Sequence, residues 1–365
     1  MSNAVKEKQD IRFILKEQLA SSNKTQNGIA ETIGITKGYM SKFFSGKEIA
    51  FWMVIETVKQ ISPNDEKQLM KAYCESGIDK KYVYCALEYC YVNQMYDVMN
   101  YLILNYSHLT PEPCRAYRWL LEFRKSLEPF EHQRQLQNLS LESTEGKVLL
   151  KIFESYVNYN IGKYDLGLFA IDKAKKYLQN VNDPFLLKSF QARIDEVLAN
   201  IYLKQENNIN KARLAAKSLM QTGISQNHIM TATYLFALSF FLESYEKSFA
   251  FYKRLLMLYE KEHDREDEVI QNKEEIAILQ FYWLNRIDSE YNVTQFTSDL
   301  RSHKPLENYY EDESLKPYAY LFDGIRQMRA DKILLSLHFF SESRDYFRAN
   351  IPKIQLQKMD LDLKI

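Results

Sequence analysis

Apolar residues recur every three to four positions along most of the chain, which is the period of an amphipathic helix. Glycine and proline are scarce, with 10 and 8 among 365 residues, whereas tyrosine and phenylalanine number 26 and 21. Few turn signals are therefore available for β-hairpins. The pattern predicts an all-α protein, with short polar breaks between successive helices.

The stretch Gln26–Lys47 predicts two short helices joined by a tight turn. Gly34 is suited to end the first helix and Thr36 to cap the second, since glycine tolerates left-handed backbone and threonine accepts amide hydrogen bonds. Gly46 is placed to end the second helix. The apolar positions that share helical spacing are Ile29, Ala30 and Ile33 in the first helix, and Tyr39, Met40, Phe43 and Phe44 in the second.

Apolar runs on both sides of this stretch complete a small bundle, so the pattern is that of a helix-turn-helix. The flanking positions are Ile11, Ile14, Leu15 and Leu19 before it, and Phe51, Val54, Ile55 and Val58 after it. Pro63 fits the start of a further helix, with Asp65 and Glu66 in its first turn. We therefore divide the chain into a head, residues 1–62, and a body, residues 63–365.

The body consists of predicted helix pairs separated by brief polar breaks, and several pairs repeat one pattern. Tyr164, Ile209 and Tyr245 each follow a turn and open a helix, at separations of 45 and 36 residues. The second separation is close to the tetratricopeptide period of about 34 residues, and the first is a lengthened step of the same repeat. We expect a tetratricopeptide-like, right-handed superhelix with a concave face that binds a ligand. A plain helical array without a ligand is the alternative.

Composition limits what the head and body can do. The 48 basic and 48 acidic residues cancel, so DNA binding requires a local positive patch. Phosphate-loop, hydrolase-elbow and zinc-protease motifs are all missing, and the six histidines are scattered. The spacing of Cys74, Cys85, Cys90 and Cys114 argues against a metal site and favours buried thiols in a reducing compartment. We expect a cytoplasmic binding protein without membrane span, enzymatic activity or cofactor.

A local positive patch is present in the head, where four lysines face one glutamate between residues 24 and 47. DNA recognition needs side chains that enter the major groove and cations that meet phosphates. An ordinary helical bundle with a solvated basic face is the alternative. The DNA-contact candidates are Lys24, Gln26, Thr36, Lys37, Tyr39, Ser41, Lys42 and Lys47.

Six strings in register from the head to the C-terminus are similar to the AimR family of arbitrium peptide receptors from Bacillus phages and related mobile elements. They begin at Ser62, Ala86, Leu198, Phe339 and Ile351, together with the aromatic helix that ends at Trp283. The resemblance implies a homodimeric transcription factor with a helix-turn-helix head and a tetratricopeptide-like body. It further implies that a short signalling peptide alters binding to double-stranded DNA and controls the choice between lysis and lysogeny.

The resemblance also implies a peptide site. Asn200 matches a peptide-contacting asparagine of the family, and Asp345 matches an aspartate suited to an arginine of the peptide. Lys204, His228 and Ser239 stand where the family has asparagine, arginine and asparagine, so Lys204 is expected to take over the peptide carboxylate. Alternatively, Asn200 and Asp345 satisfy neighbouring helix backbones. The stretch between Trp283 and Tyr320 is shortened, and no contact is assigned there.

Leu356, Met359, Leu361 and Leu363 keep the end of the chain apolar, and we expect them to contribute to a two-fold dimer interface. Two alternatives to the peptide-responsive regulator stay open. One is a tetratricopeptide receptor that acts on a protein partner, as an enzyme inhibitor or in the manner of phosphatase-type peptide receptors. The other is a passive helical scaffold. The basic second helix of the head favours DNA binding.

Overall fold

The computed structural model of the protein describes residues 10–125, 129–262 and 265–359. Within these ranges every regular element is a helix, which confirms the predicted all-α class. The chain divides into two compact units, Met1–Ile194 and Asp195–Ile365. None of the helices in the described ranges has the length and apolar character needed to cross a membrane.

The first unit begins with the helix-turn-helix bundle and continues through paired helices. Its helices are α1 (Ile11–Ala20), α2 (Gln26–Ile33), α3 (Lys37–Phe44), α4 (Phe51–Ile61), α5 (Glu66–Glu75), α6 (Val83–Val92), α7 (Tyr96–Tyr106), α8 (Pro111–Lys125), α9 (Pro129–Gln137), α10 (Thr144–Asn160), α11 (Tyr164–Leu178) and α12 (Pro184–Asn200), the last of which runs past the unit boundary. Short 3-10 turns, Pro63–Asp65 and Lys80–Tyr82, precede α5 and α6.

The second unit follows the end of α12, where residues Ile201–Gln205 form a π-helical turn. Its helices are α13 (Ile209–Thr222), α14 (Gln226–Ser239), α15 (Tyr245–Tyr259), α16 (Glu266–Leu284), α17 (Gln295–Arg301), α18 (Lys316–Gln327), α19 (Ala330–Glu342) and α20 (Tyr346–Lys358), with 3-10 turns at Ser289–Tyr291 and Glu307–Tyr309. Successive helices pack as pairs, as α13 does on α14 and α18 on α19. The π-helical turn packs against α20.

The predicted repeat positions are confirmed, because Tyr164, Ile209 and Tyr245 are the first residues of α11, α13 and α15. Helix α8 begins with a proline, Pro111. A proline in the first turn costs a helix nothing, since the amide it lacks would have no partner there.

Helix α4 joins the head to the helices that follow it. Phe51 at its start is fully buried and contacts the rings of Tyr73 and Tyr89, at centroid distances of 5.9 and 6.2 Å. The compact unit thus extends past the head. The helix break at Ile61 and the turn at Pro63 coincide with the predicted boundary between head and body, but that boundary stays a prediction.

A buried ion pair lies in the core of the first unit. Arg193 and Glu88 are 1 % and 0 % exposed, and the guanidinium donates from Nε and Nη2 to the two carboxylate oxygens at 2.9 and 2.7 Å. Tyr117 donates to the same carboxylate at 2.6 Å, and Ser189 also donates to it. This network ties α6, α8 and α12 together. Arg193 Nη1 is buried without a hydrogen bond.

All four cysteines are buried free thiols, as predicted, and all four belong to the first unit. They lie on α5, α6 and α8. Burial raises the pKa of the Cys85 and Cys90 thiols well above the ordinary value, so these side chains stay protonated and unreactive.

Candidate functional site

The turn of the helix-turn-helix is built by three cap residues. Thr25 accepts a hydrogen bond from the Gly28 amide at 3.1 Å and starts α2. Gly34 ends α2 with a φ of 73°, a left-handed conformation that glycine adopts without steric cost. Thr36 then accepts from the Tyr39 amide and starts α3. The predicted roles of Gly34 and Thr36 are therefore confirmed.

Helix α3 presents one buried and one exposed face. Met40, Phe43 and Phe44 are buried, in agreement with the pattern. Tyr39 was expected beside them and is instead 44 % exposed, with the Lys42 ammonium 5.1 Å from its ring centroid. The three buried side chains already cover the side of α3 that meets the bundle, which leaves Tyr39 on the solvent side. The prediction that Tyr39 is buried is therefore wrong. Its exposure is compatible with the second prediction, that Tyr39 contacts DNA.

All eight DNA-contact candidates are exposed in the structure, so none of them is needed for the core of the head. Lys37 is 3.9 Å from Glu31, but both side chains are more than 60 % exposed. Such a surface pair contributes about 0 to 1 kcal/mol and is easily exchanged for a phosphate. Lys24 donates to the Gln60 carbonyl at the end of α4. The face can therefore meet a polyanion without disrupting the bundle.

A cluster of charged side chains in the second unit centres on Arg348. Its Nη1 donates to Asp345 at 2.9 Å, and its Nη2 donates to Glu275 at 2.6 Å and to the Tyr234 hydroxyl at 2.9 Å. Asp345 also caps α20 by accepting from the Arg348 amide at 2.9 Å. Helices α14, α16 and α20 thus meet at one guanidinium, whose Nε is buried without a hydrogen bond.

Lys204 adds a second cation to this cluster. It lies on the π-helical turn that packs against α20 and is half-buried. Burial lowers the pKa of its ammonium, and the charge of Arg348 lowers that pKa further. The carboxylates of Asp345 and Glu275 oppose this effect, yet no acidic oxygen of the described ranges lies within 4.0 Å of the ammonium. Lys204 is thus a partly desolvated cation that has no direct ion pair there.

Asn200 precedes Lys204 by one turn at the end of α12. Its side-chain amide donates to the Glu196 carbonyl at 3.0 Å. This contact with a helix backbone is the one expected if Asn200 has only a structural role. It uses the NH2 group of the side chain and leaves the side-chain carbonyl oxygen as an acceptor. Its ligand-binding role remains a prediction.

The structure gives His228 and Ser239 partners of their own. His228 is buried in the first turn of α14, with its Nδ1 3.2 Å from the Ser225 hydroxyl. Ser239 is buried at the end of α14, where it donates to the Phe236 carbonyl at 2.8 Å and accepts from Arg213 Nε at 3.0 Å. The single hydroxyl proton of Ser239 is thus used within the unit. The expected support of Lys204 by these two side chains remains a prediction.

Asp345 lies in the expected cluster, but the guanidinium it contacts belongs to this chain. The sequence interpretation left out Arg348, Glu275 and Tyr234. The spacing of Asp345 and Arg348 is a local signal, since an aspartate at a helix cap can pair with an arginine three residues later. Glu275 and Tyr234 are far away in sequence, and no local pattern indicates that they lie near Arg348.

A three-residue turn between two short helices, an exposed basic second helix and a body of helical pairs with an internal charged cluster define the class of helix-turn-helix regulators with a sensory helical body. A family model described as AimR transcriptional regulator-like matches residues 66–358. The chain therefore belongs to this AimR family of transcriptional regulators, which confirms the resemblance and the predicted type, an arbitrium-type regulator. The family is one of transcriptional regulators and not of enzymes.

Two curated relatives are AimR transcriptional regulators of Bacillus phages. The chain is 21 % identical to the protein of phage phi3T over 339 residues, which cover 86 % of this chain and 87 % of the relative. It is 21 % identical to the protein of phage SPbeta over 386 aligned positions, which cover 97 % and 98 %.

Two solved structures share the fold. Selenomethionine-labelled phAimR superposes with a TM-score of 0.74 at 18 % identity and covers 97 % of this chain and 98 % of its own. A ligand complex of phAimR superposes with a TM-score of 0.68 at the same identity and covers 86 % of this chain and 98 % of its own. These similarities confirm the fold along nearly the whole chain.

Proposed function

We propose that this protein is a dimeric DNA-binding regulator whose DNA affinity is changed by a short signalling peptide, and that it controls the lysis or lysogeny decision of a phage or related element. Membership of the AimR family supports the class. The observation that carries the DNA-binding part is the exposed face of α3, which combines Lys37, Ser41 and Lys42 on a helix whose opposite side is buried.

In this proposal α3 enters the major groove. Lys37 and Lys42 neutralise phosphates, which supplies most of the salt-dependent affinity, and Thr36 and Ser41 meet base edges or the sugar-phosphate backbone. Lys24 and Lys47 lie before α2 and after α3, where further phosphate contacts would fix the register of the head on the duplex. The neutral overall charge makes this face the source of the attraction.

The peptide would bind at the charged cluster of the second unit, which comprises Lys204, Glu275, Asp345 and Arg348 together with Tyr234. The observation that carries this part is Lys204, a partly desolvated ammonium that lacks a direct carboxylate. A peptide carboxylate would supply the missing anion, with Asn200 beside it. An arginine of the peptide would bind Asp345 and Glu275, and it would have to share or replace the contacts of Arg348.

Dimerisation would use the end of the chain. Leu356 is 1 % exposed and is therefore already covered by its own unit, whereas Met359 is partly exposed. Leu361 and Leu363 lie outside the described residues. The proposed contact between two copies thus rests on Met359 and the residues after it, and Leu356 would support this segment from within.

A mobility-shift titration tests the proposed function directly. The full-length protein is titrated against duplex DNA from the neighbouring locus and against a shuffled duplex, with and without arbitrium-type peptides. Specific retardation that changes in the presence of one peptide is the expected result. Equal affinity for both duplexes, or a complex that no peptide alters, would contradict the proposal and favour a receptor for a protein partner.

A further inference from the structure

A cavity of about 310 Å³ lies in the second unit, away from the residues assigned to DNA or peptide. Helices α16, α17, α18 and α20 contribute to its wall, together with the segment that follows α17. The volume is at the small end of the range seen for ligand pockets, about 300 to 1,000 Å³. It is therefore suited to a small organic molecule.

The inner wall of the cavity is apolar and held in place by packing. Leu300, Leu306 and Phe322 are 2 %, 1 % and 4 % exposed. The rings of Phe281 and Phe322 meet edge to face at a centroid distance of 5.1 Å. An aromatic or branched apolar group would be well accommodated here, since it gains by leaving water and by contact with these rings.

The polar part of the lining carries positive charge and amides but no carboxylate. The guanidinium of Arg326 donates hydrogen bonds to the carbonyls of His303 and Lys304 and to Asp323, so it is already engaged within the chain. The ammonium of Lys358 makes no ion pair with any carboxylate in the described ranges. Asn285 completes the polar part with a side-chain amide. The groups that remain for a ligand are therefore cationic or neutral.

Two helix ends lie at the opening of the cavity. His303 has a φ of 54° and Asn285 has a φ of 53°, both in the left-handed region. Arg326 holds the His303 segment by its carbonyl, and the imidazole lies 5.5 Å from the Phe281 ring centroid. Both residues stand at helix ends, Asn285 after α16 and His303 after α17, where a left-handed residue commonly terminates a helix. The opening is thus held in one shape by contacts on several sides.

We propose that this cavity binds a small organic carboxylate with an aromatic or branched apolar body. The body fills the space between Phe281, Phe322 and Leu306, and the carboxylate lies at the opening, where Lys358 supplies the charge and His303 and Asn285 supply hydrogen bonds. This site is separate from the proposed peptide cluster. The two sites share only the helices α16 and α20. In the peptide cluster α16 contributes Glu275 and α20 contributes Arg348, with Asp345 as its cap. In the cavity α16 contributes Tyr282 and α20 contributes Gln355.

Calorimetric titration of the full chain with phenylbutyrate, phenylbutanol and phenylbutylamine tests the proposal. The three probes have the same body and differ in the charge of the head group. We expect a dissociation constant of about 1 mM or lower for the acid, at least roughly tenfold weaker binding of the alcohol, and no detectable binding of the amine. Equal binding of acid and alcohol, or no binding of the acid, would overturn the proposal.

Variants locate the binding. Lys358→Glu is expected to weaken the acid at least roughly tenfold and to leave the alcohol unchanged, whereas Lys353→Glu on the same helix, outside the cavity lining, should change neither. Ile325→Trp fills the cavity from a partly exposed position and should abolish binding of the acid. A melting curve confirms that each variant is folded. Unchanged acid affinity in both Lys358→Glu and Ile325→Trp would place the ligand elsewhere and contradict the assignment.

Discussion

Arg348, in the first turn of α20, binds Asp345, the residue that caps the start of that helix. The backbone amide of Arg348 donates to one carboxylate oxygen at 2.9 Å and its guanidinium donates to the other at 2.9 Å. Asp345 is therefore both the cap of α20 and half of an ion pair in which both side chains are about one-tenth exposed. A ligand that offers a guanidinium to Asp345 meets a site that this chain has already filled, so the peptide must bring contacts that compensate for the arginine it disturbs.

Asp345→Asn separates the two roles of this residue. Asparagine keeps the cap, because its side-chain oxygen still accepts from the Arg348 amide, but it removes the negative charge. We expect peptides that contain arginine to bind at least roughly tenfold more weakly, while DNA binding without peptide is retained. Calorimetric titration with a panel of arbitrium-type peptides measures this. Asp331→Asn, an exposed substitution on α19, is the matched control, and equal affinities in the two variants would show that Asp345 does not meet the peptide.

The lowered pKa of Lys204 predicts that stability and peptide affinity change with pH in opposite directions. Burial, and then the charge of Arg348, lower the pKa of its ammonium in the folded protein, so the unfolded chain binds this proton more readily. The free energy of unfolding should therefore rise with pH between the lowered pKa and the ordinary lysine value of about 10.4. Over the same interval the affinity for a peptide carboxylate should fall as the ammonium is neutralised. Chemical denaturation and peptide titration from about pH 7 to pH 10 measure the two slopes.

Substitutions of Lys204 supply the control for this pH dependence. Lys204→Asn should remove both slopes and bind peptide better than Lys204→Met does, since an amide still donates to a carboxylate. It is also expected to shift preference toward the peptides of relatives that have asparagine at this position. Lys204→Met should raise the melting temperature by at least roughly 2 °C, because a desolvated cation is replaced by an apolar chain. A lower melting temperature would show that the ammonium is net stabilising.

The double substitution Lys37→Glu and Lys42→Glu tests the DNA-reading face. Both side chains are exposed, so the head should fold normally, while DNA affinity should fall by orders of magnitude. The slope of affinity against salt should also decrease by about 2, as expected when two phosphate contacts are lost. Lys80→Glu with Lys188→Glu has the same effect on net charge at exposed positions outside the head. If both double variants lose affinity equally, the attraction is a property of total charge and not of α3.

The buried ion pair of Arg193 and Glu88 predicts that the cost of replacing one partner depends on whether the other partner is still charged. Arg193→Met leaves the fully buried Glu88 without its cation and should reduce the free energy of unfolding by about 3 to 5 kcal/mol. Adding Glu88→Gln should recover much of that loss, because a neutral amide no longer needs the guanidinium and can still bond to Tyr117. Urea denaturation monitored by far-ultraviolet circular dichroism measures both variants. A double variant as unstable as Arg193→Met would contradict a charge-based explanation.

The assembly prediction concerns Met359 and the residues that follow it. Met359→Ser combined with Leu361→Ser and Leu363→Ser should convert a dimer into a monomer at micromolar concentration, because the apolar contact between two copies is removed. Light scattering coupled to gel filtration measures the mass. Leu214→Ser, on a side chain that is 68 % exposed, is the control for loss of surface hydrophobicity. A monomeric mass for the unmodified chain would refute the prediction.

Local signals predicted much of this fold. The caps at Gly34 and Thr36 and the helix starts at Tyr164, Ile209 and Tyr245 are each set by a few neighbouring residues. Helical spacing therefore identified most of the buried side chains of the head. It misplaced Tyr39. Helical spacing shows which side of a helix is apolar, but it does not show how much of that side the neighbouring helices cover.

The candidate ligand site depends on contacts that no local pattern contains. Glu275 and Tyr234 reach Arg348 over 73 and 114 residues of chain. The π-helical turn at Lys204 and the contact between Arg213 and Ser239 likewise depend on how distant helices pack. A family resemblance indicated Asp345 and Lys204, but it could not show that this chain supplies its own guanidinium to Asp345.

The unequal distribution of the cysteines gives this protein a built-in reporter. All four thiols are sequestered in the first unit, whereas the proposed peptide residues belong to the second. A thiol reagent can modify the native protein only when the first unit opens, so the labelling rate measures the frequency of that opening. If saturating peptide slows or accelerates the labelling, the two units communicate. The ratio of the labelling rates with and without peptide, converted to a free energy, then measures the coupling between them. No engineered probe is required for this experiment.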